Sequence, residues 1–256
     1  MQLWTPEHTK TLLPALVVML AISVALHIFL KHKSLRVRLI PIQVVAVALV
    51  ILEILKQVIS FSKGYDLYHI PLHFCSLVLF ALPTFAFYRG KYARQVASIA
   101  VGFTSAVFVL TSIYPALIYG AWDIQNYFQS FFAFHTVTFH NLAMFAFMLI
   151  VALDLYRPRK GDWKYPVFFI GGYCIVAAIV SHLIDTNFNN LYRCNVEPLE
   201  NVRLAMVDAI GYVPTQIAYV LIVTCLDMVF TLGAYHFYRL CHRLVWGKNP
   251  QESSMQ

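Results

Sequence analysis

Charged side chains are scarce in this sequence. They make up 12% of 256 residues, about half the quarter usual in a soluble domain. Hydrophobic residues reach 60%, so a typical soluble protein is excluded. Between the charges lie apolar runs of about 20 or more residues, each long enough to cross a hydrocarbon core of about 30 Å. Cysteine is also sparse. Cys75, Cys174, Cys194, Cys225 and Cys241 show no metal-ligand spacing, and only Cys75 and Cys194 fall towards the outer side, so no disulfide framework is expected. No basic segment beyond Lys10 precedes the first apolar run, whose charge cluster, His32 to Arg38, follows it. That run reads as a membrane span and not as a cleavable signal. No repeat, low-complexity tract or linker marks a second unit, and residues 1–256 are expected to form one domain with a short polar tail after Gly247.

What is present is a set of seven candidate spans: Thr11 to Leu30, Leu39 to Ser60, His69 to Tyr88, Val96 to Tyr119, Phe128 to Leu153, Pro166 to Ile184 and Tyr212 to Tyr238. Each is apolar all round, as helices buried in lipid and in one another must be, because backbone polar groups in a bilayer have to be satisfied within the segment. The expected fold is therefore all-α, a seven-helix transmembrane bundle. Lys and Arg in the connections total four on one side and fourteen on the other. The positive-inside rule then puts the N-terminus outside and the C-terminus in the cytoplasm. The net charge of +7 is accounted for by this topology and gives no nucleic-acid signal. The protein is expected to be multi-pass, in the cytoplasmic membrane if bacterial, or in the endoplasmic reticulum or another cell membrane if eukaryotic. The longest connection, Asp185 to Gly211, is long for a compact bundle, and such loops are often lids or binding elements.

Ionisable side chains inside a bilayer are costly and point to function. At 1.5 Å per helical residue, Glu53 and Lys56 lie about 6–11 Å from the outer end of the second span, His73 and Cys75 about 6 and 9 Å into the third, and His135 about 10 Å into the fifth. His182 and Asp185 close the sixth. Each has a plain structural use when taken alone: cysteine as a small packing residue, membrane histidine as a hydrogen-bond donor between helices, Glu53 with Lys56 as a neutralised pair. Their convergence on one level is what suggests a site. Glu53 and Lys56 share a helix face at i,i+3, as do His182 and Asp185. His73 and Cys75 are about 200° apart, so a base for the thiol must come from another helix. His135 and His140 point about 140° apart, and one of the two is expected to face a given site. Pro71 suits a first helical turn, which would set Cys75 near the positive end of a helix dipole and favour its thiolate.

The stretch Tyr68-His69-Ile70-Pro71-Leu72-His73-Phe74-Cys75 resembles the Pro-Leu-His-x-Cys motif of the bacterial YwaF-like integral membrane proteins. Gln129 to His135 resembles their fifth-helix histidine, and Asn187-Phe188-Asn189-Asn190-Leu191-Tyr192 the Asn-rich motif after their sixth helix. The same landmarks are similar to those of the eukaryotic transmembrane protein 164 family, seven-helix acyltransferases that use a cysteine and a histidine. Here His73-Phe74 stands where the eukaryotic motif has Asn-Pro. The resemblance implies a thioester on Cys75 with His135 as base. His73, Glu53, Lys56, His182, Asp185, Asn187 and Asn190 would then bind or orient substrate. Membrane lipids are the expected substrate, with no cofactor, no metal and no indicated protein partner. Water as acceptor would make the same dyad a lipid hydrolase. A transporter using Glu53, Lys56, His140, Asp185 and Asp227 is the main rival, though no inverted repeat or pair of broken helices supports it. A retinal-type receptor lacks its lysine in the last span, and a zinc triad of His73, His135 and His182 is a further alternative.

Overall fold

The computed structural model describes residues 3–247; the expected polar tail, with Lys248, lies outside them. The helices are α1 (Pro6–Leu30), α2 (Leu35–Ser62), α3 (Leu77–Phe87), α4 (Ala93–Ile113), the short α5 (Pro115–Ile118) and α6 (Ala121–Gln125), α7 (Phe131–Ala152), α8 (Lys164–Leu183), α9 (Glu197–Ile210) and α10 (Tyr212–Trp246). No strand occurs among the described residues. Six of these helices, α1, α2, α4, α7, α8 and α10, are long and apolar enough to cross a membrane.

The expected third span departs from this pattern. Only Phe74–Phe87 is helical, beginning as a 3-10 turn at Phe74–Ser76, and 14 such residues reach only about 21 Å. Proline bars its predecessor from the α region. Ile70, before Pro71, is accordingly extended at φ −57° and ψ 130°, and His73 at φ −90° and ψ 156°. Pro71 therefore lies in an irregular stretch and not in a first helical turn. The fourth span likewise stops at Ile113, short of Tyr119, because Pro115 forces Tyr114 out of the helix at φ −137°.

Helix α4 is central, packed on α3, α7, α8 and α10. Its Ala97, Ala100, Gly102, Ser105 and Ala106 are buried small residues that let neighbouring backbones approach, the usual means of helix association in lipid. Gly102 is required there, since an added Cβ would lie 2.4 Å from Pro166 of α8. Leu49, Val78, Leu82, Leu149, Ile150, Tyr235 and Tyr238 fill the core.

The long connection after α8 turns back into the bundle before reaching α9. Asp185, Asn189 and Asn190 take left-handed φ values of 50°, 51° and 55°, which short polar side chains tolerate best. Phe188 and Leu191 are fully buried. Asn189 reaches within 3.6 Å of Cys174 Sγ, nine residues or about 13 Å below the end of α8. Irregular backbone at that depth is tolerated where it lines a cavity.

At the basic end, Asp154 follows α7 with φ 49°. Its carboxylate accepts from His242 Nε2 at 2.9 Å and from Arg157 Nε. Arg38 donates to Leu153 O, Trp246 Nε1 to Val151 O and His27 Nδ1 to Ala152 O, each at 2.7 Å, so side chains from three other helices hold the carbonyls at and just beyond the end of α7. Burial opposes ionisation of Asp154, but the His242 and Arg157 hydrogen bonds outweigh it and hold the carboxyl at about 2, below its ordinary 3.8. A depressed folded value means a contribution present above pH ~4 and lost as the pH falls towards 2, worth about 2 kcal/mol. Asp154→Asn should lower the thermal midpoint in detergent at pH 7, with the gap to wild type closing between pH 4 and 2. A gap that stays constant over that range would show that the ionised form contributes nothing.

Candidate active site

The end of the bundle opposite Asp154 holds a cavity of about 360 Å³ between α2, α7, the irregular stretch before α3 and the returning loop after α8. Glu53, Lys56, His73, Cys75, His135, His140, Asn187 and Asn190 all line it. Seven of the nine residues expected from sequence to be catalytic or supporting thus reach one cavity, both asparagines included, and His182 and Asp185 are the two that do not.

Glu53 organises the polar wall. One carboxylate oxygen accepts from Lys56 Nζ at 2.7 Å and from Gln57 Nε2 at 2.6 Å; the other accepts from His135 Nε2 at 3.1 Å. The helical repeat brings Lys56 and Gln57 onto the face of Glu53 at i+3 and i+4, while His135 comes from α7, which packs on α2. All three charged or chargeable side chains are buried, their exposure being 9–13%. A carboxylate only accepts, so Nε2 of His135 donates the proton, and in the neutral ring Nδ1 keeps its lone pair. Nδ1 makes no hydrogen bond among the described residues.

Cys75 sits in the 3-10 turn that opens α3, half-buried on the cavity wall. It is a free thiol, and its Sγ makes no hydrogen bond to another side chain among the described residues. The irregular stretch before it is held by Gln57, which donates to His69 O at 2.8 Å, and by Ser60, whose hydroxyl meets His69 Nδ1 at 2.7 Å. His73 donates Nε2 to Tyr68 O at 3.0 Å, and its ring lies 5.3 Å from that of Phe188. His73 thereby ties the two irregular segments together across the cavity.

A model of the TMEM164 (transmembrane protein 164) family matches residues 3–244. The chain belongs to the TMEM164 family. It has no match among curated proteins or solved structures. Family membership over nearly the whole chain agrees with the multi-pass architecture, so this TMEM164-family chain is an integral membrane protein.

Several expectations need correction in this TMEM164-family cavity. His182 and Asp185 do not pair and do not line it. His182 donates Nδ1 to Ala178 O, and Asp185, beyond the helix end at φ 50°, accepts from Tyr192 OH. The helix stops at Leu183, so the i,i+3 geometry that would join them is lost. A zinc triad through His182 is accordingly not assembled, and no group of three ligating side chains occurs among the described residues. His135 and His140 both line the cavity despite their angular separation, because the surrounding wall is built from both the α2 side and the irregular stretch. His140 donates Nδ1 to Thr136 O, and its buried Nε2 has no hydrogen-bond partner among the described residues.

Asn187 proves to be an organiser of the loop, its Oδ1 accepting from the Tyr192 and Arg193 amides. Asn190 accepts from Tyr219 OH at its backbone carbonyl, and its buried side-chain Oδ1 has no hydrogen-bond partner among the described residues. The sequence alone assigns no role to Gln57, and it shows His69, Tyr68 and Asn189 only as members of the two motifs. Asn189 donates to Asp227 Oδ2 at 2.6 Å and so anchors the returning loop to α10. Gln57 was visible as the i+4 neighbour of Glu53; the Asn189–Asp227 bond joins residues 38 apart and leaves no local pattern.

Proposed function

We propose that this protein is a membrane-embedded lipid acyltransferase working through a thioester on Cys75. The carrying observation is that Cys75 and His135 line one cavity while Glu53 holds His135 by Nε2, leaving Nδ1 as the base. In the first half-reaction Nδ1 takes the Sγ proton, and the thiolate attacks the ester carbonyl of a phospholipid or the carbonyl of a thioester donor. The tetrahedral intermediate collapses with loss of the donor's alkoxide or thiolate, which His135 protonates. In the second, His135 deprotonates an acceptor hydroxyl, which attacks the acyl-cysteine and releases Sγ, and the proton returns to the thiol. Lys56 would favour negative charge developing on the carbonyl oxygen. Catalytic hydrogen bonds often tighten only once substrate is bound, which accommodates a resting thiol not yet bonded to His135.

Lipid esters lie just below the headgroups, the depth inferred for this site. Family membership and the resemblance to eukaryotic acyltransferases support the same reading. In this account the chain crosses seven times, the third crossing being completed by the extended stretch ahead of Phe74–Phe87. The lysine and arginine asymmetry puts the N-terminus and the cavity outside and the C-terminus in the cytoplasm. The test uses purified protein in detergent with a phospholipid donor, with and without a lysophospholipid acceptor, followed by lipid mass spectrometry. Transfer predicts new diacyl lipid whenever acceptor is present and little free fatty acid. Free fatty acid at the same rate in both conditions would make the protein a hydrolase, and no turnover of either kind would remove the enzymatic reading.

A further inference from the structure

We propose a second ligand site at the basic end of the bundle, which binds the phosphate group of an anionic phospholipid. A cavity of about 570 Å³ opens there between the start of α2, the end of α3, the start of α4 and the connection after α7. Arg89, Arg94, Arg157 and Arg159 line it together with apolar residues that include Leu39 and Phe85, and no Asp or Glu does. It lies at the opposite end of α2 from Glu53, so it is separate from the Cys75 cavity.

The four arginines are not equivalent. Arg94 is paired with Asp162 and Arg157 with Asp154, acids whose side chains are only 8% and 3% exposed and stand behind the cavity wall. Arg89 is held by backbone instead: it donates to Phe85 O, Ala86 O and Tyr88 O at 2.6–2.9 Å, capping the last turn of α3. Those carbonyls fix its guanidinium without neutralising it. Arg159 is exposed and makes no ion pair or side-chain hydrogen bond among the described residues. Two oriented or accessible positive charges therefore meet in one recess with a further pair beside them. Guanidinium groups match phosphate oxygens in fork geometry. Topology alone asks only for basic residues somewhere at this end; it does not ask for their convergence on an apolar-floored recess at the level of a lipid headgroup. The floor, formed in part by Leu39 and Phe85, suits an acyl or glycerol segment, and this favours a lipid over a free phosphate.

The experiment compares wild type with Arg89→Gln/Arg159→Gln and with Lys33→Gln/Arg36→Gln, which removes equal charge at the same end outside the cavity. Each protein is titrated in detergent with short-chain phosphatidylglycerol, with phosphatidylcholine of the same chains and with inorganic phosphate, binding being read from the thermal midpoint. Wild type should prefer phosphatidylglycerol to both other probes. The Arg89/Arg159 variant should lose about thirtyfold in affinity, the change that about 1 kcal/mol per basic residue gives for two, and the Lys33/Arg36 variant should stay within about twofold of wild type. Arg159→Glu alone, at an exposed side chain that makes no ion pair or hydrogen bond among the described residues, should weaken binding as much and guards against misfolding of the Arg89 variant. Equal loss in both charge pairs would reduce the site to diffuse surface charge and overturn the proposal. Inorganic phosphate binding as tightly as the lipid would also overturn it, by giving the recess to a soluble anion.

Discussion

Glu53→Gln is expected to slow acyl transfer by about 10³–10⁴-fold, the scale seen when a carboxylate that fixes a catalytic imidazole becomes an amide. The reason is tautomeric. Glu53 accepts from His135 Nε2 at 3.1 Å, and only with the proton held there is Nδ1 a base. A glutamine can present its amino group to the ring, which then needs a lone pair at Nε2 and the proton at Nδ1. The same substitution strips Lys56 of its counter-charge in a buried place, a change that typically costs about 3 kcal/mol or more. Stability and catalysis can be separated. Glu53→Gln/Lys56→Met removes both charges and should recover most of the thermal midpoint without recovering the rate. If that double variant regains activity along with stability, Glu53 is a structural counter-ion and does not position His135.

The second large effect is a contrast between Cys75 and His135. Cys75→Ala should abolish transfer and leave the fold intact, since the half-buried thiol bonds no other side chain among the described residues and its loss costs little packing. His135→Ala should lower the rate of cysteine acylation by about 10²–10⁴-fold, the usual contribution of a general base, without abolishing it. Raising the pH should partly restore the His135→Ala rate, because hydroxide increases the thiolate fraction when no imidazole does so. The pH rescue should be absent in Cys75→Ala. A His135→Ala rate equal to that of wild type would leave the thiol without the base assigned to it.

Much of this was legible in the amino-acid sequence, for definite reasons. Apolar runs of helical length identify six of the spans, whereas the helical angle expected between His73 and Cys75 does not apply, because His73 is extended and Cys75 lies in a 3-10 turn. The i,i+3 rule anticipated the Glu53–Lys56 pair because both residues lie well inside one helix. The same rule failed for His182 and Asp185, where the helix ends at Leu183 and Asp185 turns into the left-handed region. Pro71 was ambiguous in principle: the ring is at home in a first helical turn, yet it equally holds its predecessor extended, and here the second effect prevails. The return of the Asn-rich loop into the bundle depends on Asn189 meeting Asp227 and on burial of Phe188 and Leu191, contacts that no hydropathy window contains.

The most direct measurement is the intact mass of the purified protein after incubation with phospholipid in the absence of acceptor. The account predicts an added acyl mass on wild type that hydroxylamine removes, a much slower appearance of the same mass on His135→Ala, and none on Cys75→Ala. An acyl mass that persists in Cys75→Ala, or wild-type protein that turns lipid over without ever carrying one, would contradict covalent catalysis at this cysteine.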